Sequence, residues 1–346
     1  MNTFGEKFQV QIFGASHAPV IGITLTGVPA GMPLQEADFA QDVMRRKSGA
    51  KGTTSRIEDD IPVIESGVSK NEDGVRVTNG KALTITFENN NIHPEDYTPF
   101  RNVPRPGHAD FTAYIKYSSR KRDFENTDFM GGGFFSGRMT LPLVGAGVVA
   151  KKMIAPLEVS ARLIEVGGVS TANWADVEEL LDKTIAEGDS LGGIIECTCK
   201  KVPAGLGEPF FDSLESMLSH AIFSIPGIRG LEFGDGFAAS KMKGSQHNDP
   251  FIDDKGHTSK NGAGGINGGI SNGNDIVFRI AVKPTSSIIK SQSTFDFINK
   301  KMTDISVPGR HDTCFALRVP PVVEAMTAIT LADLLIKDME KRPGSI

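Results

Sequence analysis

Apolar residues recur with two different periods along this chain, and the two kinds of segment do not alternate regularly. A helical period runs through 34–47, 136–154, 175–188, 211–223 and 322–341. Strand-like runs rich in Val, Ile and Thr occupy 20–28, 62–68, 82–88, 160–166, 193–202 and 275–283. Such an order excludes a regular succession of βαβ units and predicts an α+β fold with largely antiparallel sheet. No Pro/Ser/Gly linker divides the chain and no short repeat is present, so 1–346 is expected to form a single domain. The polar stretch 251–263 reads as a mobile loop.

Several function classes drop out early. No window of about 18 uncharged apolar residues exists, so no transmembrane helix and no membrane partner are expected. The start, MNTFGEKFQVQIFGASHA, lacks a basic segment followed by an apolar one, and three cysteines cannot frame a disulfide scaffold. Both point to a cytoplasmic protein. A net charge of −5 argues against nucleic-acid binding. That total hides an uneven distribution. Residues 101–162 hold ten Lys/Arg against five Asp/Glu, whereas 163–240 hold four against thirteen. The acidic segment reads as solvated faces, and the basic one lies beside glycine clusters and a histidine.

Glycine is the most over-represented residue, with 38 in 346 against a usual ~7%. It gathers at Gly131–Gly133, Gly192–Gly193, Gly264–Gly265 and Gly268–Gly269. Such clusters mark either tight turns or backbone that must approach something closely.

The polar motifs lie in the same neighbourhoods. Ser16-His17 sits among small residues just before a strand. A serine hydrolase is disfavoured, because no nucleophile elbow follows and adjacent extended residues face opposite ways. Arg45, Arg46, Lys47, Lys51 and Arg56 place five cations within twelve residues. A helix C-terminus explains the first three and leaves Lys51 and Arg56 for an anion. Arg105-Pro106-Gly107-His108-Ala109-Asp110 holds a histidine in a stiff turn between a cation and a carboxylate, the neighbours that tune it for proton transfer. Ser136-Gly137-Arg138 opens a helix, where free N–H groups attract anions. Lys283-Pro284-Thr285-Ser286-Ser287 and Gly309-Arg310-His311-Asp312 add hydroxyls, amides and cations.

Two stretches imitate other chemistry. Gly145-Ala146-Gly147-Val148-Val149-Ala150 fits the dinucleotide fingerprint, with Glu165 twenty residues on. Pro142 would interrupt the strand that this fingerprint needs, and the apolar pattern there is continuous with a helix, so close helix packing is the preferred reading. Cys197, Cys199 and Cys314 are too few and badly spaced for a metal site, and the first two read as strand core. No metal is expected.

Taken together, the motifs resemble the chorismate synthase family from Phe13 to about Leu335, in the family's order. The runs that carry the resemblance are 105–110, Gly264 to Gly273, 283–287 and 309–312. The resemblance implies a β-α-β sandwich with internal pseudo-twofold symmetry and a homotetramer. It implies loss of phosphate from 5-enolpyruvylshikimate 3-phosphate in a 1,4-anti elimination giving chorismate, with reduced FMN and no net redox change. It assigns His17, with Ser16 nearby, to protonation of the leaving phosphate, His108 to acid catalysis beside the flavin, and Asp312 to assisting proton transfer. Arg46, Lys51, Arg105, Arg138 and Arg310 would meet the anionic substrate. Ser136, Pro226, Gly227, Gly268, Lys283, Pro284, Thr285, Ser286, Ser287 and Arg310 would hold FMN. Members differ in whether NAD(P)H reduces their own flavin; no separate nicotinamide domain is visible, which favours external reduction. Ala15, Ala18 and Phe134 depart from the family pattern, the last replacing an arginine, so a non-catalytic relative that binds flavin or a phosphometabolite is the alternative reading.

Overall fold

The computed structural model describes residues 2–91, 103–117, 130–297 and 299–341. The first half contributes β1 (Thr3–Phe4), β2 (Gln9–Phe13), β3 (Val20–Thr26), α1 (Ala40–Arg46) and β4 (Val63–Ser66). It continues with β5 (Val68–Lys70), β6 (Arg76–Thr78), β7 (Leu83–Glu88), α2 (Asp110–Tyr117) and α3 (Thr140–Met153). The second half begins with β8 (Glu158–Val166), β9 (Val169–Ser170), α4 (Trp174–Glu187), β10 (Gly193–Lys200), α5 (Leu214–Ile222) and β11 (Ile228–Phe233). It ends with α6 (Gly244–His247), β12 (Ile266–Asn267), β13 (Ile270–Ser271), β14 (Ile276–Val282), β15 (Gln292–Asp296), β16 (Lys301–Ile305) and α7 (Pro320–Lys341).

Two five-stranded antiparallel sheets form, ordered β1-β2-β3-β7-β4 and β11-β14-β10-β8-β9. Each half repeats one plan. Its four main strands (β2, β3, β4, β7 in the first half; β8, β10, β11, β14 in the second) lie in spatial order first, second, fourth, third. A helix links the second strand to the third (α1 or α5), and a long helix follows the fourth (α3 or α7). The pseudo-twofold relation is therefore written in the connectivity.

The long helices lie between the sheets because their sequences leave them no solvent face. Every residue from Thr140 to Ala150 in α3 and from Pro320 to Leu335 in α7 is buried. A helix with apolar residues on every face, as in α3 and most of α7, must be covered on every side. α3 packs on β3 and β7, α7 on β8 and β10, and the two helices pack on each other. Pairs Ile21–Phe87, Ile23–Ile85 and Leu25–Leu83 line the inner face of one sheet, and Cys197–Phe278 and Cys199–Ile276 that of the other. Cys197 and Cys199 are thus core residues. Polar groups in this layer are anchored. Glu324 accepts from Arg45, Lys151 and the Ala161 N–H, tying α7 to α1, α3 and β8. Asp333 accepts three backbone N–H bonds from Glu6, Lys7 and Phe8.

The helical reading of 139–154 holds, and Gly145 and Gly147 lie inside α3 rather than in a nucleotide-binding turn. Pro142 falls in the first turn of that helix, where a missing N–H costs little. The predicted strand 62–68 divides into β4 and β5 at Gly67, whose φ is +86° and where an added Cβ would lie 2.5 Å from Leu83 Cα. The predicted helix 211–223 starts later, at Leu214, because Ser213 caps it by accepting from the Ser216 N–H. Segment 251–263 is tied by a bridge between Phe251 and Thr258 and by Asp249, which accepts from the N–H groups of Gly262 and Ala263. No helix among the described residues is long and apolar enough to cross a membrane.

Candidate active site

A cavity of about 1080 Å3 opens where loops of both halves converge. Its walls come from 44–60 at and after the end of α1, 105–109 before α2, 134–138 before α3, 223–229 leading into β11, 283–287 after β14 and 310–318 before α7. Most of the wall is loop held at the ends of packed elements, with Arg45 and Arg46 of α1, Trp174 of α4 and Arg229 of β11 added, so a rigid sandwich fixes segments far apart in sequence. Ten Lys/Arg side chains line the cavity against three carboxylates, Glu58, Asp60 and Asp312. Phe134, Phe135, Trp174, Phe223 and Phe315 supply aromatic surface. An excess of cations in a concave, partly apolar space concentrates anions.

The turn 105–110 holds the histidine. Arg105 clamps Asp110 through Nε at 2.8 Å and Nη2 at 2.8 Å, and reaches Ser287 Oγ at 3.1 Å. His108 Nδ1 lies 2.5 Å from Asp110 Oδ1. Burial alone would raise the Asp110 pKa, but hydrogen bonds from Arg105 and His108 overcome it and hold the carboxyl well below its ordinary range. His108 is pulled below its ordinary value by burial; Asp110 opposes that, while Arg105 and Lys283 add to it. Nδ1 faces the Asp110 carboxylate, and an anion opposite Nε2 would favour the protonated ring.

Facing it is the strap 283–287. Lys283 Nζ donates to Ser286 Oγ at 2.5 Å and to the Gly107 carbonyl at 3.2 Å, and Ser286 donates to the same carbonyl at 2.8 Å. Burial, reinforced by Arg229, lowers the Lys283 pKa. Thr285 Oγ1 is buried with no hydrogen-bond partner among the described residues.

On the opposite wall Asp312 accepts from the Thr54 N–H at 2.8 Å and from Arg318 at 2.7 Å. Arg310 donates to Asn91 Oδ1 at 2.7 Å and meets no carboxylate among the described residues. His311 also lines the cavity; burial first, then Arg105, pulls its pKa down to about 4. Arg138 donates to Asn89 Oδ1 at 2.8 Å and to Asp60.

The structure thus gathers Ser16, Arg46, Arg105, His108, Ser136, Arg138, Pro226, Gly227, Lys283 to Ser287, Arg310 and Asp312 around one space. It does not bring three expected residues there. His17 is half-buried and is not among the lining residues, although Ser16 beside it is. Lys51 is exposed and pairs with Asp182 of α4 at 2.7 Å. Gly268 lies in the turn between β12 and β13, away from the cavity lining. Sequence reasoning passed over Glu58, Asp60, Asn89 and Arg318. Burial alternates along 57–61, with Glu58 and Asp60 buried and Ile57, Asp59 and Ile61 exposed, the reverse of what the apolar pattern suggests, so the sequence carried no signal for the two carboxylates.

Fold and cavity together define a two-sheet α+β protein with a cationic, aromatic-walled cavity at the seam of its halves. The chorismate synthase family model matches residues 8–336, and the chain belongs to that family of enzymes. It is 52% identical to the chorismate synthase of Chitinophaga pinensis over 100% of this chain and 99% of the relative. It is 42% identical to that of Dehalococcoides mccartyi, covering 97% of each, and 39% identical to that of Methanosarcina acetivorans, covering 97% and 96%. A solved structure titled as a crystal structure of chorismate synthase superposes with a TM-score of 0.73 at 24% identity, covering 99% of this chain and 95% of that one. That likeness carries the fold.

Proposed function

We propose that this chain is a lyase that eliminates phosphate from 5-enolpyruvylshikimate 3-phosphate to give chorismate, with reduced FMN bound in the same cavity. The observation that carries the reading is convergence: segments 105–110, 283–287 and 310–312 meet around one cationic, aromatic-walled space. The residues present fit a flavin phosphate and ring. Lys283 and Ser286 offer donors, Thr285 Oγ1 lacks a partner among the described residues, and Phe134, Phe135 and Phe315 give flat apolar walls. Bound there, reduced FMN would lend electron density to the allylic system and recover it.

The chain's own groups do the rest. The substrate carries two carboxylates and a phosphate, so Arg46, Arg138 and Arg310 grip it by charge-assisted hydrogen bonds. His108, turned by Asp110, presents Nε2 and holds a proton when an anion lies opposite. Asp312, fixed by Thr54 and Arg318, keeps a carboxylate at hand for proton transfer. Ser16 reaches the cavity now, and His17 would serve the leaving phosphate if its loop turned the ring inward. The aromatic walls are partly exposed, and a ligand seated against them would displace water and so strengthen the charge interactions beside it. A homotetramer, a cytoplasmic location and external flavin reduction complete the reading.

Anaerobic assay with the substrate and chemically reduced FMN should release phosphate and chorismate together. Flavin binding without release of either would mark a non-catalytic relative instead. With NADPH alone and oxidised FMN, no turnover is expected.

The pH profile offers a second check. His108 acts in its protonated form, so activity is present below its pKa and lost as pH rises through it. Asp110 raises that pKa against the burial that lowers it. Asp110→Asn should therefore move the alkaline limb of kcat to lower pH by about 1 unit or more. An unmoved limb, or one moved upward, would remove His108 from that role.

A further inference from the structure

The segment 57–61 presents Glu58 and Asp60 to the cavity wall and turns Asp59 outward. Asp60 is buried and has a φ of +54°. A non-glycine residue adopts that left-handed conformation at a cost, with Asp and Asn the best tolerated, and such strain clusters at functional sites. Asp60 Oδ1 accepts from Arg138 Nη1, and Oδ2 lies 3.6 Å from Arg46 Nη1. Both guanidinium groups are themselves buried, 7% and 3% exposed. Their remaining acceptors carry no charge: Asn89 Oδ1 and the Glu88 carbonyl for Arg138, the Thr140 hydroxyl and the Gly137 carbonyl for Arg46. Among the described residues Asp60 is the one carboxylate within 4 Å of either.

The electrostatics show why a shared counter-charge matters. Burial, and then repulsion from Arg318 and Arg138, brings Arg46 down to about 9, with Asp60 and Asp312 opposing. Two buried cations side by side repel each other, and a carboxylate between them both offsets that repulsion and fixes where each fork points.

We propose that Asp60 is a positioning residue that sets the spacing and aim of Arg46 and Arg138, so that the pair grips an anionic ligand group as one site. The inference deepens the functional reading above and rests on it for the identity of the ligand. Asp60 does not touch the reacting atoms; it acts through the two arginines. The strained backbone is the sign that its place, and not only its charge, is held.

The test uses the full chain with FMN. Asp60→Asn tolerates the left-handed backbone and removes the charge, while Asp60→Glu keeps the charge and displaces it by one methylene. Both should raise the substrate KM by about tenfold or more with kcat changed far less, the pattern of lost binding common to ground and transition states. Flavin affinity, read from the fluorescence of the sole tryptophan, Trp174 in the cavity wall, should stay within about twofold of wild type in both variants. A wild-type KM in Asp60→Glu would show that charge alone suffices and overturn the proposal. So would unchanged KM in both variants, or flavin affinity falling in step with KM. Thermal stabilisation by inorganic phosphate gives a readout independent of turnover: wild type should respond and Asp60→Glu should not. If wild type makes no chorismate yet shows this difference, the functional reading fails and the positioning role stands. If wild type does not respond, or Asp60→Glu responds equally, the positioning role fails.

Discussion

Alanine at position 108 should lower kcat by about 10²- to 10⁴-fold, the usual contribution of a placed acid–base group, with flavin affinity within a few-fold of wild type. The expectation rests on what the substitution leaves behind. Arg105 keeps both of its bonds to Asp110 and its bond to Ser287 without the imidazole, so the turn retains its own clamp. The strap that offers donors to a flavin phosphate is tied to the Gly107 carbonyl and not to the ring. Loss of the ring therefore removes a proton-holding group from a site that stays assembled. Single-turnover measurement with prereduced FMN, beside Trp174 fluorescence for flavin affinity, separates the two effects. Should flavin binding vanish with the ring, His108 would be part of the cradle and its proton-transfer role would lose support. His17→Ala should err in the same direction, with turnover hit harder than flavin affinity. A full effect there would mean that the loop 14–18 rotates when ligand binds, because His17 is outside the cavity lining now.

What was legible in the sequence, and what was not, follows the range of the interactions. α3 and α7 were readable because their apolar residues recur densely at helical spacing, a property of nearby residues. The same holds for the runs 105–110, 283–287 and 309–312, whose chemistry is packed into a few adjacent positions. The hairpin of β15 and β16 was not readable: QSTFD and KMTDI are polar, mostly solvent-facing strands held by pairing with each other. β11, with Arg229, Gly230 and Glu232 interrupting its apolar pattern and a register shift between Ile228 and Gly230, hid for a related reason. Cations were found by their charge, but charge does not tell direction. Lys51 and Arg46 belong to one basic run, yet one points to Asp182 in solvent and the other into the cavity. The carboxylate and amide that organise Arg138 come from 78 and 49 residues away, a distance at which a sequence pattern carries no signal.

Gly147→Leu should prevent the sandwich from forming, and Gly147→Ala should destabilise it by about 1–3 kcal/mol, the usual range for overpacking. On helix propensity alone alanine would gain about 1 kcal/mol over glycine, so the two arguments predict opposite signs. Geometry decides between them. A Cβ on Gly147 would lie 2.3 Å from the Ala325 Cβ and 2.5 Å from its Cα. Both atoms belong to a buried helix that cannot swing aside, because α7 is covered by α3 on one side and by β8 and β10 on the other. The backbones must separate to admit even one carbon, and the two sheets would have to follow. Gly145 is less constrained, since its Cβ would meet the edge of the Phe87 ring at 3.3 Å and the Ile85 Cγ2 at 4.0 Å. Ala325→Gly should recover much of the stability lost in Gly147→Ala, since it removes the atom that clashes, and urea unfolding of the four proteins in that cycle measures the coupling. If Gly147→Ala were as stable as wild type, α3 and α7 would not meet at that point. The glycines that imitate a nucleotide-binding turn would then need another explanation than the contact that holds the two halves together.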